Sequence, residues 1–229
     1  MIVLGLDTAL KSCAAAILRE GRTAGDKFAP MEKGHAEHLA PMVAATLREA
    51  GVSARDLDRI GVVVGPGGFA GVRVGLAFAR GLAIGAKTKV IGVTSLGALA
   101  AALPDNSLRA AVIDARRGQV YAALYDASLQ VLLAPFVAEP KEALQQLVLA
   151  AAGQQVAAAG DGLTLLGSPP PEWRLELGRT AIDAKIVARL AETAPEPASP
   201  PAPLYLRPPD AAPAAASPFE GLFVDGPSV

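Results

Sequence analysis

Residues 60–86, IGVVVGPGGFAGVRVGLAFARGLAIGA, constrain the chain more than any other stretch: a short apolar run ends in Gly65-Pro66-Gly67-Gly68, and a glycine-laced helical pattern follows from about Ala70. A strand, a tight turn and a helix opening straight out of it aim backbone N–H groups and a helix N-terminus at an anion or a partner. The alternative is steric, since glycines at such a turn also permit positive φ and close packing. GPGG fits neither the P-loop spacing nor GxGxxG, so this turn alone reads as structural.

The helix leaving the turn has two regularities. Gly71, Gly75, Ala79 and Ala83 recur every fourth residue as a ridge of small side chains, and Arg73, Arg80 and Lys87 recur every seventh as a polar stripe. The remaining positions are apolar, which predicts cover on more than one side, either inside one domain or at a subunit interface. Upstream, GHAEHLAPMVAATLREAG (34–51) predicts a second helix with Leu39, Met42, Val43, Thr46, Leu47 and Ala50 on one face and Gly51 as its stop. Pro41 requires that helix to begin only a few residues earlier or to kink. His35 and His38 are the only histidines and fall one turn apart. Without a third ligand or HExxH they favour a capping or contact role over metal binding.

The chain opens with three β-compatible segments, 2–6, 12–18 and 23–29, read as antiparallel strands. Asp7 and Thr8 then fall at a hairpin tip, where they serve local hydrogen bonds or face a phosphate. Laying LDTALKSCAAAIL (6–18) over IDARRGQVYAALY (113–125) without a gap pairs Asp7 with Asp114. Both copies read as strand, Asp, turn, strand, which predicts a duplicated α/β chain with two lobes around a cleft. Other expected elements are strands at 90–93, 129–137 and 156–159 and helices at 95–103, 140–152 and about 180–192, with Gly160-Asp161-Gly162 closing one strand. The lobes are expected at 1–105 and 106–193. Ten of the 19 prolines lie from Pro195 onward, so 194–229 reads as an extended tail in which PLYLRPPDA (203–211) is apolar enough to dock.

Composition excludes several classes. A net charge of −1 gives no electrostatic argument for tight, nonspecific nucleic-acid binding. No apolar run is expected to reach the roughly 18 residues of a membrane span, and the N-terminus lacks a basic leader before an apolar core, so a cytoplasmic protein without a membrane partner is expected. The single cysteine, Cys13, lies in an apolar run and is expected to be a buried structural thiol.

GLDTA at Gly5, GHAEHLAPM at Gly34, GPGGFAGVRVGLAFARGLA at Gly65, IDARRGQVYAALYD at Ile113 and PLYLRPPDA at Pro203 together resemble the TsaB (YeaZ) family. The five motifs stand in the family's order and span residues 5–211. The resemblance implies an actin-like (ASKHA, ribonuclease H-like) duplicated two-lobe fold with a reduced second lobe. It also implies a noncatalytic subunit for tRNA threonylcarbamoyladenosine synthesis, pairing with a TsaD-like paralogue through the first helices of the first lobe. A TsaE-like ATPase would cooperate, TsaC would supply the threonylcarbamoyl-adenylate, and tRNA would be met through the complex. ATP and a metal ion are then expected in the partner complex, with no cofactor bound by this chain alone. The family commonly carries hydroxyls in its turn, as GPGSFTG, where this chain has Gly68 and Ala70, so no role of those hydroxyls transfers.

Two functional readings follow. In the first, the Leu39/Met42/Val43/Leu47 face and the Gly71/Gly75/Ala79/Ala83 ridge, flanked by Arg73 and Arg80, bind the partner, and the exposed patch forms a homodimer in its absence. In the second, Asp7, Thr8 and Asp114 face a nucleotide in an actin-like ATPase or transferase. The superfamily's older peptidase label finds no GxSxG, no HExxH and no serine in the GPGG turn.

Overall fold

The computed structural model describes residues 1–104 and 106–207; the expected lobe boundary at Asp105 and the tail beyond Arg207 lie outside the described residues. The first sheet begins with three antiparallel strands, β1 (Ile2–Asp7), β2 (Ser12–Arg19) and β3 (Arg22–Pro30), as their segments predict. Two parallel strands complete it, β4 (Arg59–Val63) and β5 (Lys89–Val93), in the order β3-β2-β1-β4-β5. β1 is central and pairs with β2 on one side and β4 on the other. Its apolar run, rather than an alternating one, is what a strand covered on both faces requires. Val3, Leu4 and Leu6 are accordingly buried.

The second sheet repeats the plan. β6 (Leu108–Arg116), β7 (Gln119–Tyr125), β8 (Val131–Ala138), β9 (Val156–Ala159) and β10 (Arg174–Glu176) lie in the order β10-β9-β6-β7-β8. Read from the opposite edge, this is the third, second, first, fourth and fifth strand, as in the first sheet. The Asp7 and Asp114 hairpins therefore hold equivalent places, a structural repeat in which the second strand slips by one residue from the gapless overlay of 6–18 on 113–125.

Five α-helices flank the sheets. α1 (His35–Ala50) ends at Gly51, which adopts the left-handed conformation and donates its N–H to the Arg48 and Leu47 carbonyls. Pro41 stands inside α1, which begins six residues before it. α2 (Phe69–Ala86) is long and apolar enough to cross a membrane by length and composition, with a mean hydropathy of 1.4. Its arginines do not break it as an apolar element, contrary to the expectation that no segment reaches this length. It packs against β4, β1, β5 and α1. α3 (Ser95–Ala101) is capped by Thr94, whose hydroxyl accepts from the Gly97 N–H at 3.0 Å. α4 (Pro140–Ala151) starts at a proline, where no N–H is needed. α5 (Ala184–Thr193) starts four residues later than its periodicity predicts, because Asp183 caps it by accepting from the Lys185 N–H at 2.9 Å.

The helices are exchanged between the halves. α3 closes the first half of the chain yet packs on β6, β7 and β9, and α5 closes the second half yet packs on β1, β2 and β4. Placing residues up to 193 in the second lobe is thus corrected: α5 belongs to the first sheet. Two adjacent glycines make room for it. Gly5 and Gly61 are register partners across β1 and β4. A Cβ on Gly5 would overlap the Ala184 carbonyl, and one on Gly61 would sit 2.7 Å from the Ala191 methyl. Arg59 then satisfies the end of α5, its guanidinium donating to the carbonyls of Ala191 (3.0 Å), Glu192 (3.3 Å) and Ala194.

Beyond α5 the chain runs as a strap without regular structure to Arg207. Leu204 donates its N–H to the Val64 carbonyl (2.8 Å), at the end of β4. The apolar face of Pro201 lies against Gly92 of β5, where an added Cβ would meet it at 2.8 Å.

Candidate functional site

The GPGG turn is a socket for the Asp7 hairpin. Gly68 donates its N–H to the Ala9 carbonyl (2.7 Å), and the Thr8 hydroxyl donates to the Gly71 carbonyl (2.8 Å). Positive φ at Gly65 (100°) lets the chain reverse out of β4 into this socket. A Cβ on Gly67 or Gly71 would overlap the carbonyl of Ala9 or Thr8, and one on Gly75 would lie 2.5 Å from the Thr8 hydroxyl. The ridge of small residues therefore faces inward, and its first members admit the hairpin backbone. Ala79 and Ala83 continue it into the core.

Most of the expected partner surface is corrected accordingly. Leu39, Val43, Gly71, Gly75, Ala79 and Ala83 are all buried within the chain, and Met42 and Leu47 are half-buried against the same core. Arg73 and Arg80 are exposed but occupied by the strap. Arg73 stacks over the Phe69 ring at 3.5 Å and donates through Nε to the Tyr205 hydroxyl (3.0 Å), while Arg80 donates to the Pro201 carbonyl. Among the described residues, the unpartnered part of α2 is the neighbouring face. Ala77, Gly81, Ile84 and Gly85 are exposed, Ile84 by 81%, and Val74 and Phe78 are half-exposed beside them. Added Cβ atoms on Gly81 and Gly85 would meet nothing within 4 Å. The sequence pattern carries this second small-residue run one position removed from the first, but periodicity cannot say which of two overlapping ridges turns inward.

Asp7 lies at the end of β1 with no exposed surface. Its carboxylate accepts from the Ala9 N–H (2.9 Å) and the Ser12 hydroxyl (3.2 Å), both in its own hairpin. Burial pushes its pKa up to about 7 against the pull of these bonds. Of the two residues expected to face a nucleotide, Asp7 is sealed from solvent, and Thr8, its hydroxyl bonded to Gly71, borders a cavity of 460 Å³. Cys13 is buried, as expected, and burial followed by the neighbouring Asp7 pushes its thiol up to about 11.

Asp114 differs from its repeat partner. With Lys11, Lys33, Arg116, Tyr121 and Asp161 it lines a cleft of 280 Å³ between the lobes. Its carboxylate accepts from the Arg116 N–H (2.7 Å) and pairs with that side chain at 3.2 Å. Asp161, which sequence reasoning passed over, bridges the cleft: Oδ1 accepts from the Asp114 N–H (2.9 Å) and Oδ2 pairs with Lys11 at 3.5 Å. Its flanking glycines were the available signal. Gly160 has φ 115°, and a Cβ on Gly162 would stand 3.0 Å from the Asp114 nitrogen.

The Nδ1 of His38 is 2.9 Å from the Gly34 carbonyl, at the start of α1. Among the described residues His35 Nε2 is buried without a partner. Among the described residues neither histidine bonds a serine, threonine or cysteine, and no three His, Cys, Asp or Glu side chains gather as a metal site.

Two sheets of one strand order, each entered through an Asp-bearing hairpin, around a polar cleft, define an actin-like two-lobed protein. A family model described as TsaD, tRNA N6-adenosine threonylcarbamoyltransferase, matches residues 29–206. The tRNA threonylcarbamoyladenosine biosynthesis protein TsaB of Escherichia coli is 38% identical over 128 residues, 55% of either chain. The chain thus spans about half the length of this curated relative. An uncharacterized protein of Mycobacterium tuberculosis is 34% identical over 93% of this chain and 95% of its own. Among solved structures, YeaZ from Pseudomonas aeruginosa aligns with a TM-score of 0.74 and 28% identity over 90% of this chain and 99% of its own. A second structure from that organism, described as having similarity to peptidase YEAZ, aligns with a TM-score of 0.73 and 27% identity over 90% of this chain and 99% of its own. The chain belongs to the TsaB/YeaZ family.

Proposed function

We propose that this chain is a noncatalytic subunit of tRNA threonylcarbamoyladenosine biosynthesis that binds and activates a TsaD-type threonylcarbamoyltransferase in the cytoplasm. The observation that carries the reading is the outer face of α2, where, among the described residues, Ala77, Gly81 and Ile84 stand without a covering element and Val74 and Phe78 are half-exposed beside them, in a member of this family. Small residues let a partner helix approach closely, and an apolar core of this kind supports a protein interface better than it supports solvent. The α2 face pairs with a second copy when the transferase is absent. A TsaE-like ATPase, tRNA, ATP and a metal ion act in the assembled complex rather than on this chain alone, and TsaC provides the activated intermediate.

The buried Asp7 and the bonded Thr8 leave only Asp114 to support a nucleotide in the cleft, so the subunit reading is preferred. Reconstitution of tRNA modification with transferase, ATPase and tRNA, with and without this chain, tests it. Multiple-turnover modification is expected only when the chain is present, and an undiminished rate without it would falsify the proposal.

A further inference from the structure

We propose that residues 195–207 form a clasp that sets the opening of the cleft between the lobes, with Arg207 as its catch. The strap leaves α5 on the first lobe and holds to that lobe through Leu204 and Val64, Arg80 and Pro201, and the Phe69–Arg73–Tyr205 stack. It then crosses to the second lobe. Arg207 donates to the carbonyls of Ala115 (3.2 Å) and Arg116 (3.5 Å) and to the side-chain oxygen of Gln119. These three acceptors belong to the β6–β7 hairpin that carries Asp114 and Arg116 into the cleft.

The position of the catch matters more than the number of its bonds. Away from the residues that line the cleft, the lobes are joined by exchanged helices, α3 on the second sheet and α5 on the first, with α3 and α5 in contact. Such a joint resists separation but permits rotation about itself. Across the cleft Lys11 pairs with Asp161, at 3.5 Å and with the lysine side chain 52% exposed. An exposed pair of that length contributes about 0–1 kcal/mol and cannot hold an angle. The planar fork of Arg207 fixes direction as well as distance, since its nitrogens reach acceptors on both arms of one hairpin. A guanidinium half-buried among neutral acceptors is also little screened by salt.

Interlobe distance provides the test. Cys13 is buried and is the sole cysteine, so spin labels on Ala36→Cys in α1 and Gln145→Cys in α4 report the two lobes in the full-length chain. Pulsed dipolar spectroscopy is expected to give one narrow distance distribution for the otherwise unaltered protein. In Arg207→Ala and in Tyr205→Ala it should broaden by several ångströms, while circular dichroism stays unchanged. Identical distributions in all three proteins would overturn the clasp. If Arg207→Ala does not fold, Arg207→Lys keeps the charge but not the fork. The same broadening is then expected, and an unaltered distribution in that variant overturns the proposal.

Discussion

Gly71 lies directly under the Thr8 carbonyl, and the Thr8 hydroxyl closes the contact by donating to the Gly71 carbonyl at 2.8 Å. A methyl group at this glycine would occupy space already held by backbone, which cannot rotate away. Gly71→Ala is therefore expected to destabilise the fold by about 1–3 kcal/mol or more, the range for overpacking a tight core. Gly81→Ala, ten residues along the same helix in open space, is expected to stabilise it by up to about 1 kcal/mol, as helix propensity alone dictates. Urea unfolding of the two variants, with opposite shifts in midpoint, checks both at once.

Asp7 predicts an inverted pH dependence. The folded chain keeps its proton up to about pH 7, whereas the unfolded chain releases it near the ordinary value of 3.8. Between those values the folded state binds one more proton, so this residue's contribution is full below about pH 4 and is lost as pH rises through 7. A shift of three units corresponds to roughly 4 kcal/mol. Asp7→Asn should flatten the dependence and leave the protein at least as stable at pH 8. Unfolding midpoints from pH 4.5 to 8 would show it, and equal slopes for both proteins would refute it.

Thr94 caps the seven-residue α3, which forms part of the joint between the lobes. Thr94→Ala is expected to cost about 1 kcal/mol, and Thr94→Ser much less, because the serine hydroxyl can accept the same Gly97 N–H. Thermal denaturation of the pair separates the lost cap from the lost methyl group.

On the outer face of α2, Ala77→Arg and Ile84→Glu are expected to leave the fold intact and weaken copurification with a TsaD-type partner by about 2 kcal/mol or more, the scale of a central interface residue. Gly75→Arg would also abolish pairing, but through misfolding, since that position meets the Thr8 hydroxyl. Circular dichroism beside the pull-down distinguishes the two causes.

Much of this fold is readable from the chain because β1, β7 and β9 are apolar runs ended by Asp or Gly, and α1 has a single stripe closed by Gly51. The orientation of α2 was not readable. It is apolar nearly all round, so two ridges of small residues compete and only the hairpin lodged against Gly71 decides between them. β10 escaped for another reason: Arg174–Glu176 is too short to show alternation and exists only through its pairing with β9. The seal over Asp7 was equally invisible, because a hairpin-tip Asp is ordinarily solvated. Its burial comes from tertiary packing, since Asp7 shares a face of β1 with Gly5, on which α5 packs.

The exchange of α3 and α5 makes the polypeptide resemble a dimer whose subunits happen to be joined. Each sheet receives one of its covering layers from the other half, so a fragment ending at the lobe junction would keep α3 with nothing to pack it on and leave the Gly5–Gly61 trough empty. Neither fragment has a complete core of its own. Mixed together, however, they hold every surface needed to rebuild the whole, and complementation in trans, rather than independent folding, is the behaviour this architecture favours.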